Sequence, residues 1–235
     1  MNESDYTEFG TLIETAQAFA RSTYQCIYIT DCFSEELLYV SNNMTELCGA
    51  DARLIKGSGY GFFIDLVSDS DLKMLMEISD KYHELFNSIP LQERLFYTIS
   101  CDFHVNIGSR ERLVHHTLTP IVLTKDGRIR LALCVISLAD NNKAGNIIMM
   151  KEGASTCFEY TLADHKWKQR NMVLLSDMEK EILYLSTQGY TMTDIATIIC
   201  KSVDTVKVSK TSIFKRMGVK NITEAIVYAQ NHRLM

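Results

Sequence analysis

Positively charged side chains are concentrated in one short stretch near the C-terminus of the 235-residue chain. Six basic residues lie between Lys201 and Lys220 against a single acid, Asp204, although the whole chain has a formal charge of −5. Lysine and arginine can pair with phosphate groups, and neighbouring side chains such as Val208 and Thr211 can touch a thymine methyl group. These residue types indicate a nucleic-acid surface if one helix face carries them, whereas a solvated helix face with no ligand is the alternative.

The charge is divided unevenly along the chain. Residues 1–164 contain 13 Lys and Arg against 23 Asp and Glu, a net charge of −10, whereas residues 165–235 contain 11 against 6, a net charge of +5. Such asymmetry between two parts of a chain is typical of a nucleic-acid-binding segment attached to another domain.

Start and stop signals predict four short helices from Leu175 onward. A capping box, in which the first side chain and the residue three positions later bond each other's backbone N–H, is expected at two helix starts. These pairs are Ser176 with Glu179 and Thr191 with Asp194, and Asn221 with Glu224 caps the fourth helix. Ser202 can cap the remaining helix, and Gly189 and Gly218 are natural helix ends.

The third of these helices, from Ser202 to about Met217, has two different faces. At about 100° per residue, Val206, Ile213 and Met217 share one face, with Ser209 and Lys210 at its edges. The opposite face is polar and cationic, which suits the DNA major groove. The candidate DNA contacts are Thr205, Lys207, Val208, Lys210, Thr211 and Lys215.

The stretch "LSDMEKEILYLSTQGYTMTDIATIICKSVDTVKVSKTSIFKRMGVKNITEAIVYA" resembles the LuxR-type (NarL/FixJ-type) helix-turn-helix domain over some 55 residues. Two positions depart from the family pattern: Lys201 replaces an apolar residue, which predicts a looser turn, and Ser209-Lys210 replaces His-Arg. The resemblance implies an all-α, four-helix DNA-binding domain at residues 173–235. It also implies a dimer contact on the fourth helix, at Val227 and Tyr228. The matching positions are Leu175, Glu179, Glu181, Leu183, Gly189, Ile195, Ala196, Ser202, Thr205, Val206, Lys207, Ile213, Gly218, Val219, Asn221, Glu224 and Ala225.

The N-terminal part is predicted to be mixed α/β. "ETAQAFARS" and "DSDLKMLMEISDKYHELFNSI" favour helices, and "QCIYIT" and "ELLYVS" favour strands. In "RLFYTISCDFHVNI" apolar residues alternate from Leu95 to Ile107, which predicts a strand with one buried and one solvated face. Asp126-Gly127 predicts a tight hairpin between the next two strands. A polar loop, Ala139–Asn146, marks a domain boundary.

This succession of two strands, helices and three antiparallel strands resembles the PAS sensor fold over about residues 22–140. The resemblance implies a sheet covered by helices, sometimes around a small-molecule cavity, and often a dimer. The early acidic pair and alternating strands and helices of a phosphate-accepting receiver domain are missing from the sequence. The predicted domains are 1–140, PAS-like; 141–172, a β-hairpin extension and linker that includes the basic connector "HKWKQRN"; and 173–235.

The sequence offers little for catalysis or for a cofactor. It contains no G-x-S-x-G, no H-E-x-x-H and no phosphate-binding glycine loop, so no catalytic residue is assigned. Seven scattered cysteines without a C-x-x-C pair suit reduced thiols better than a disulfide framework or a metal site. A haem would need an inward-facing axial histidine. His116, on the face of Val114 and Leu118, is the best candidate ligand residue, whereas His104 lies on the polar face; a core histidine without a ligand is the favoured interpretation, and no cofactor is predicted.

The fold class expected is α+β, with a PAS-like antiparallel domain followed by the helical domain. The function expected is a non-enzymatic transcriptional regulator that binds double-stranded DNA as a homodimer, with an unknown small molecule or protein at the PAS-like domain. No apolar run is long enough to span a membrane and no signal peptide is evident, so a cytoplasmic location is expected. The alternative is a signalling adaptor whose PAS-like domain binds a protein and whose helical tail no longer binds DNA.

Overall fold

The chain divides by its internal contacts into two compact units. A computed structural model describes residues 3–23, 25–49, 51–59, 61–107, 110–140 and 142–235. The first unit comprises Met1–Ser137 with Lys143–Arg170, and the second comprises Leu138–Asn142 with Asn171–Met235. Asn141, in the loop predicted as a domain boundary, lies outside the described residues. No helix in the described ranges is long and apolar enough to cross a membrane.

The first unit combines helices with a large antiparallel sheet. Its described helices are α1 (Glu3–Thr23), α2 (Met44–Cys48), α3 (Ala52–Ser58), α4 (Gly61–Leu66), α5 (Asp69–Ser88) and a 3₁₀ helix (Leu91–Phe96). Its strands are β1 (Cys26–Asp31), β2 (Glu36–Val40), β3 (Tyr97–Ile107), β4 (Arg110–Leu123), β5 (Ile129–Leu138), β6 (Gly145–Lys151), β7 (Thr156–Thr161) and β8 (Lys166–Asn171).

The strands form one sheet in the order β2-β1-β5-β4-β3-β6-β7-β8. The helices α2 to α5 lie between the second and third strands of the chain, which is the succession on which the PAS resemblance rests. The predicted hairpin between β4 and β5 is present. Gly127 has φ 82°, and the N–H of Thr124 donates to the carbonyl of Arg128 at 2.8 Å. The predicted antiparallel sheet with helices is therefore confirmed.

Strand β1 is apolar on both sides, and both of its faces are covered by helices. Tyr28 points to the main core, which includes Met44 of α2, Ile55 of α3 and Phe86 of α5. Ile27, one residue earlier, belongs to a second cluster on the other face, beneath α1. Alternate side chains of a strand point to opposite faces, so a continuous apolar run places one set in each cluster.

The predicted solvated face of β3 is wrong, because that face is buried. Thr98, Ser100 and Asp102 expose only 5%, 3% and 0% of their surface. β3 lies between β4 and β6, and Thr98 and Asp102 find side-chain partners on those strands. Asp102 accepts a hydrogen bond from Asn146 Nδ2 at 3.0 Å and lies 2.6 Å from Nδ1 of His115. Alternation revealed two faces, but cross-strand hydrogen bonds allow the polar face to be buried.

The segment predicted as a connector is strand β8, which continues the sheet beyond the hairpin of β6 and β7. Leu95, predicted in β3, belongs instead to the 3₁₀ helix. Trp167 of β8 packs the hairpin against α5: its Nε1 donates to the carbonyl of Lys81 at 3.0 Å, and its ring lies 5.2 Å from that of Tyr160. Residues 143–170 thus group with the first unit.

The second unit is helical in its described residues after Asn171. It contains α6 (Asp177–Thr187), α7 (Met192–Ile198), α8 (Val203–Met217) and α9 (Ile222–Asn231). Two adjoining clusters hold these helices together. One centres on Ile182, Ile195 and Val206, and the other on Leu183, Ile213, Ala225 and Ala229. Because α6 and α8 each contribute to both clusters, they connect α7 at one side to α9 at the other.

Candidate nucleic-acid interface

The helix α7 is capped at both ends by local hydrogen bonds, and its C-terminal cap forms the turn that leads to α8. Thr191 and Asp194 form the predicted capping box at the start of α7. At the end of α7, the N–H of Cys200 donates to Thr197 O at 3.2 Å and that of Lys201 donates to Ala196 O at 2.9 Å. This is a Schellman arrangement, in which Cys200 adopts a left-handed conformation with φ 54°. Lys201 therefore does not loosen the turn, because its backbone, not its side chain, closes it.

The helix α8 begins at the predicted cap and shows the predicted two faces. The side chain of Ser202 accepts a hydrogen bond from the N–H of Thr205, and Gly218 ends the helix with φ 73°. The inner face packs in the core through fully or nearly fully buried side chains. These are Val206, Ser209, Ile213 and Met217.

The outer face of α8 presents the predicted contact residues to solvent. Lys207, Thr211 and Lys215 are exposed, and Val208 exposes 68% of its surface. The hydroxyl of Thr211 donates to the carbonyl of Lys207 at 2.9 Å, which keeps its methyl group and the lysine on the same side of the helix. An exposed valine between two lysines is unfavourable in water alone, and it can contact a thymine methyl group.

Two predicted contacts lie at the border of this face. Lys210 is half-buried, and burial lowers the pKa of its ammonium group. Thr205 is also half-buried, and its hydroxyl lies 2.9 Å from that of Ser202 at the helix start. The cationic face is thus centred on Lys207 and Lys215, with Lys210 and Thr205 beside the core.

One of the six basic residues serves the internal structure of the unit. Arg216 donates to the carbonyl of Leu174 at 2.6 Å and also to the carboxylate of Glu179. Burial acts to raise the pKa of Glu179, but the hydrogen bonds from Arg216 and Ser176 outweigh burial and lower it. Arg216 therefore fixes α8 to the start of α6. Lys201 and Lys220 are the two exposed cations of the stretch that the predicted contact set omits. Lys201 is among the six basic residues counted in the sequence, but only the structure shows that it lies in the turn between α7 and α8.

The two residues predicted for the dimer contact differ in how much they pack against the core of their own unit. Val227 and Tyr228 are both half-buried on α9. The Tyr228 ring lies 4.1 Å from that of His232 and packs at the margin of the second core cluster. Val227 is not part of either cluster, so it is the better placed of the two for contact with another molecule.

His116 lies in the first unit, on the inner face of β4 as predicted. Its Nε2 is 2.7 Å from the hydroxyl of Tyr28, and its ring is 5.8 Å from that of Phe103. Burial, and secondly the neighbouring His115, lower the pKa of His116 to about 4. The neutral imidazole and the Tyr28 hydroxyl are hydrogen-bonded, so this side chain has a partner within the core. No three His, Cys, Asp or Glu residues within the described ranges are grouped so that they could hold a metal ion.

Comparison with known proteins identifies the second unit. Residues 173–229 match the GerE family model, described as bacterial regulatory proteins of the luxR family. The response regulator protein VraR of Staphylococcus saprophyticus is 33% identical over 73 residues, which cover 30% of this chain and 35% of VraR. The C-terminal unit is therefore a LuxR-type helix-turn-helix domain, in which α7 and α8 are the two helices of the motif. The chain spans about a third of the length of the curated relatives it matches.

Two solved structures match larger parts of the chain. The phage VqmA–DPO complex is 15% identical with a TM-score of 0.33, and the match covers 98% of this chain and 91% of that one. The PAS domain of Bordetella pertussis BvgS is 13% identical with a TM-score of 0.34, and the match covers 54% of this chain and 84% of that one.

Proposed function

We propose that the protein is a transcriptional regulator that binds duplex DNA through the outer face of α8. The observation that carries this proposal is the arrangement of α8 itself. Its inner face is fixed in the core of a LuxR-type domain, and its outer face exposes lysines around an exposed valine. A helix held in this way can enter the major groove without unfolding any part of the domain.

Each residue of the face has a role that follows from its chemistry. Lys207 and Lys215 would neutralise phosphates or donate to guanine edges, and Val208 and Thr211 would contact thymine methyl groups. Lys210 would have to extend from its half-buried position to reach a phosphate. Thr205, near the helix start, would lie close to the backbone of the DNA.

The first unit would control the DNA-binding domain by its dimer geometry. A small molecule or protein partner would bind one dimer arrangement of the PAS-like unit more tightly than another. Such binding shifts the population of dimers toward the arrangement that binds more tightly. We assign it sensing and dimerisation, with no catalytic role. Because the DNA of a bacterium lies in the cytoplasm, we also place the protein there.

The experiment is a salt titration of DNA affinity with full-length protein and a duplex that this protein selects from a random library. Log K should fall linearly with log salt concentration, by about 0.9 for each phosphate neutralised. Lys207→Ala should weaken binding by about 1–3 kcal/mol. If Lys207 contacts a phosphate, its loss should also make the slope of log K against log salt concentration shallower by about 0.9.

Lys180→Ala is the matched control, because Lys180 is an exposed lysine of α6 in the same unit. It should bind like the unmodified protein. Weak binding that does not depend on salt, or equal affinities for Lys207→Ala and Lys180→Ala, would contradict the proposal and favour the adaptor.

A further inference from the structure

The first unit has a groove beside its edge strand. Strand β2 is the last strand on one side of the sheet, and α1 and α3 lie on either side of the groove above it. The groove has a volume of about 720 Å³. Volumes of about 300–1,000 Å³ are usual for small-molecule sites. We call it the α1–α3 groove, and define it by Ile13 and Arg21 of α1, Leu38 and Val40 of β2, and Arg53 and Lys56 of α3.

Three cations from two helices line this groove. Arg21 lies in the last turn of α1, and Arg53 and Lys56 are three residues apart on α3, which places them on the same side of that helix. All three are exposed. Among the described residues, no carboxylate lies within the 4.0 Å of an ion pair with any of them. Their charge is therefore available to a ligand.

The acids around the groove do not cancel this charge. The carboxylate of Asp51 is engaged at the start of α3, where it accepts the N–H of Arg53 at 2.7 Å. Glu36 lines the adjoining part of the depression together with Arg53 and Lys56, but it forms no ion pair with either of them among the described residues. A cluster of cations without partners is unexpected in a segment whose net charge is −10. Like charges repel one another, so their grouping destabilises the empty groove and favours an anion.

The floor of the groove is apolar. Leu38 exposes 5% of its surface, and the half-buried Ile13 and Tyr39 lie beside it. All three belong to the cluster beneath α1. An apolar floor with a few charged groups at its rim is the usual composition of a site for a small organic ligand. The amide of Asn43 at one end is engaged with the backbone of Gln25, at 3.2 Å, and so helps to fix the shape of the floor.

We propose that the α1–α3 groove binds a small organic anion, with an apolar body on Ile13, Leu38 and Tyr39 and a carboxylate or phosphate group between Arg21, Arg53 and Lys56. Guanidinium groups bind both kinds of anion through paired N–H donors. The apolar floor distinguishes such a ligand from a bare inorganic ion. The site uses none of the residues assigned to DNA contact.

The test is isothermal titration calorimetry of the full-length protein with three probes that share one apolar body. They are 4-phenylbutyrate, 4-phenylbutyl phosphate and the neutral 4-phenylbutanamide. We expect at least one anion to bind with a Kd below about 1 mM. The amide should bind at least about tenfold more weakly, because it lacks the charge-assisted hydrogen bonds. The preferred anion then distinguishes a carboxylate ligand from a phosphate ligand.

Variants connect the binding to the groove. The double variant Arg53→Gln/Lys56→Gln should weaken binding of the preferred anion at least about tenfold. The control Lys73→Gln/Lys125→Gln removes two exposed lysines of the same unit outside the groove, and should bind like the unmodified protein. Equal binding of the amide, equal binding by the two double variants, or no saturation by either anion would overturn the proposal. DNA affinity, measured in parallel, reports separately on the proposed function.

Discussion

At the scale of single residues, His116 is a buried imidazole whose Nε2 lies 2.7 Å from the hydroxyl of Tyr28. Its lowered pKa of about 4 keeps the imidazole neutral at physiological pH. Protonation would place a charge among Phe103 and the other side chains of the core. This pair therefore makes the stability of the first unit sensitive to acid.

The expected pH dependence follows from the two pKa values of His116. In the unfolded chain the imidazole binds a proton below about 6.5, but in the folded protein only below about 4. Between these values the unfolded chain binds more protons, so the free energy of unfolding should fall as the pH decreases from 6.5 to 4. One imidazole contributes at most about 1.4 kcal/mol per pH unit to this slope.

Urea unfolding at a series of pH values measures the slope for the unmodified protein and for His116→Gln. The variant should show a shallower slope over that interval, since it cannot take up the proton. His83→Gln, at an exposed histidine of α5, is the control and should keep the original slope. Identical slopes for all three proteins would contradict the assignment.

Arg216 shows how far composition alone predicts a residue's role. Its charge counts toward the basic stretch, but its guanidinium is used by Leu174 and Glu179 within the same unit. The partner residues lie 37 or more positions earlier in the chain, and nothing in the local spacing indicates them. Lys207 and Lys215, by contrast, were predicted from helical periodicity because their exposure depends only on the face they occupy.

At the scale of elements, the turn between α7 and α8 contains a conformation that favours glycine. Cys200 has φ 54° and is exposed, so its side chain gains little from packing while its Cβ opposes the left-handed backbone. Cys200→Gly should stabilise the second unit by about 0.5–1 kcal/mol, after allowance for the greater freedom of glycine in the unfolded chain.

Differential scanning calorimetry of the full-length protein measures this change through the transition of the second unit. Cys200→Ala is the matched control, because alanine removes the thiol but keeps the Cβ and should bring no gain. If alanine and glycine raise the transition equally, the thiol and not the backbone conformation is responsible.

Helix starts were more predictable than the environment of strands. A capping box needs only two residues three positions apart, and those at Ser176 and Thr191 are present where the sequence predicts them. The burial of β3 on its polar face depends instead on β4 and β6, which supply His115 and Asn146 to Asp102. The sequence alternates in the same way whether such partners exist or not, so a solvated face was predicted wrongly.

At the scale of the whole molecule, we predict a two-fold symmetric dimer formed mainly through the first unit and completed on DNA by α9. A single helix-turn-helix domain offers little interface, and two copies on half-sites about one helical turn apart are the usual arrangement. Light scattering of the full-length protein at tens of micromolar should therefore give the mass of a dimer. A monomer at that concentration, together with footprints over single half-sites, would contradict this.

Val227→Glu tests the contribution of α9 separately. A carboxylate at this half-buried position should repel its symmetry mate, so cooperative binding to a duplex with two half-sites should be lost while affinity for one half-site is kept. Thr223→Glu, at an exposed position of the same helix, is the control and should remain cooperative. Binding isotherms on one-site and two-site duplexes measure both quantities.

Strand β8 has a consequence for the behaviour of the protein at high concentration. It is the last strand on its side of the sheet, where unpaired peptide groups could accept a strand from another molecule and start aggregation. Most of its side chains are exposed and several are cationic, and Lys168 and Arg170 are held in place by Asp164 and Glu159. A second β8 brought alongside would meet this row of like charges. We therefore expect the basic residues of this strand to disfavour growth of the sheet between molecules.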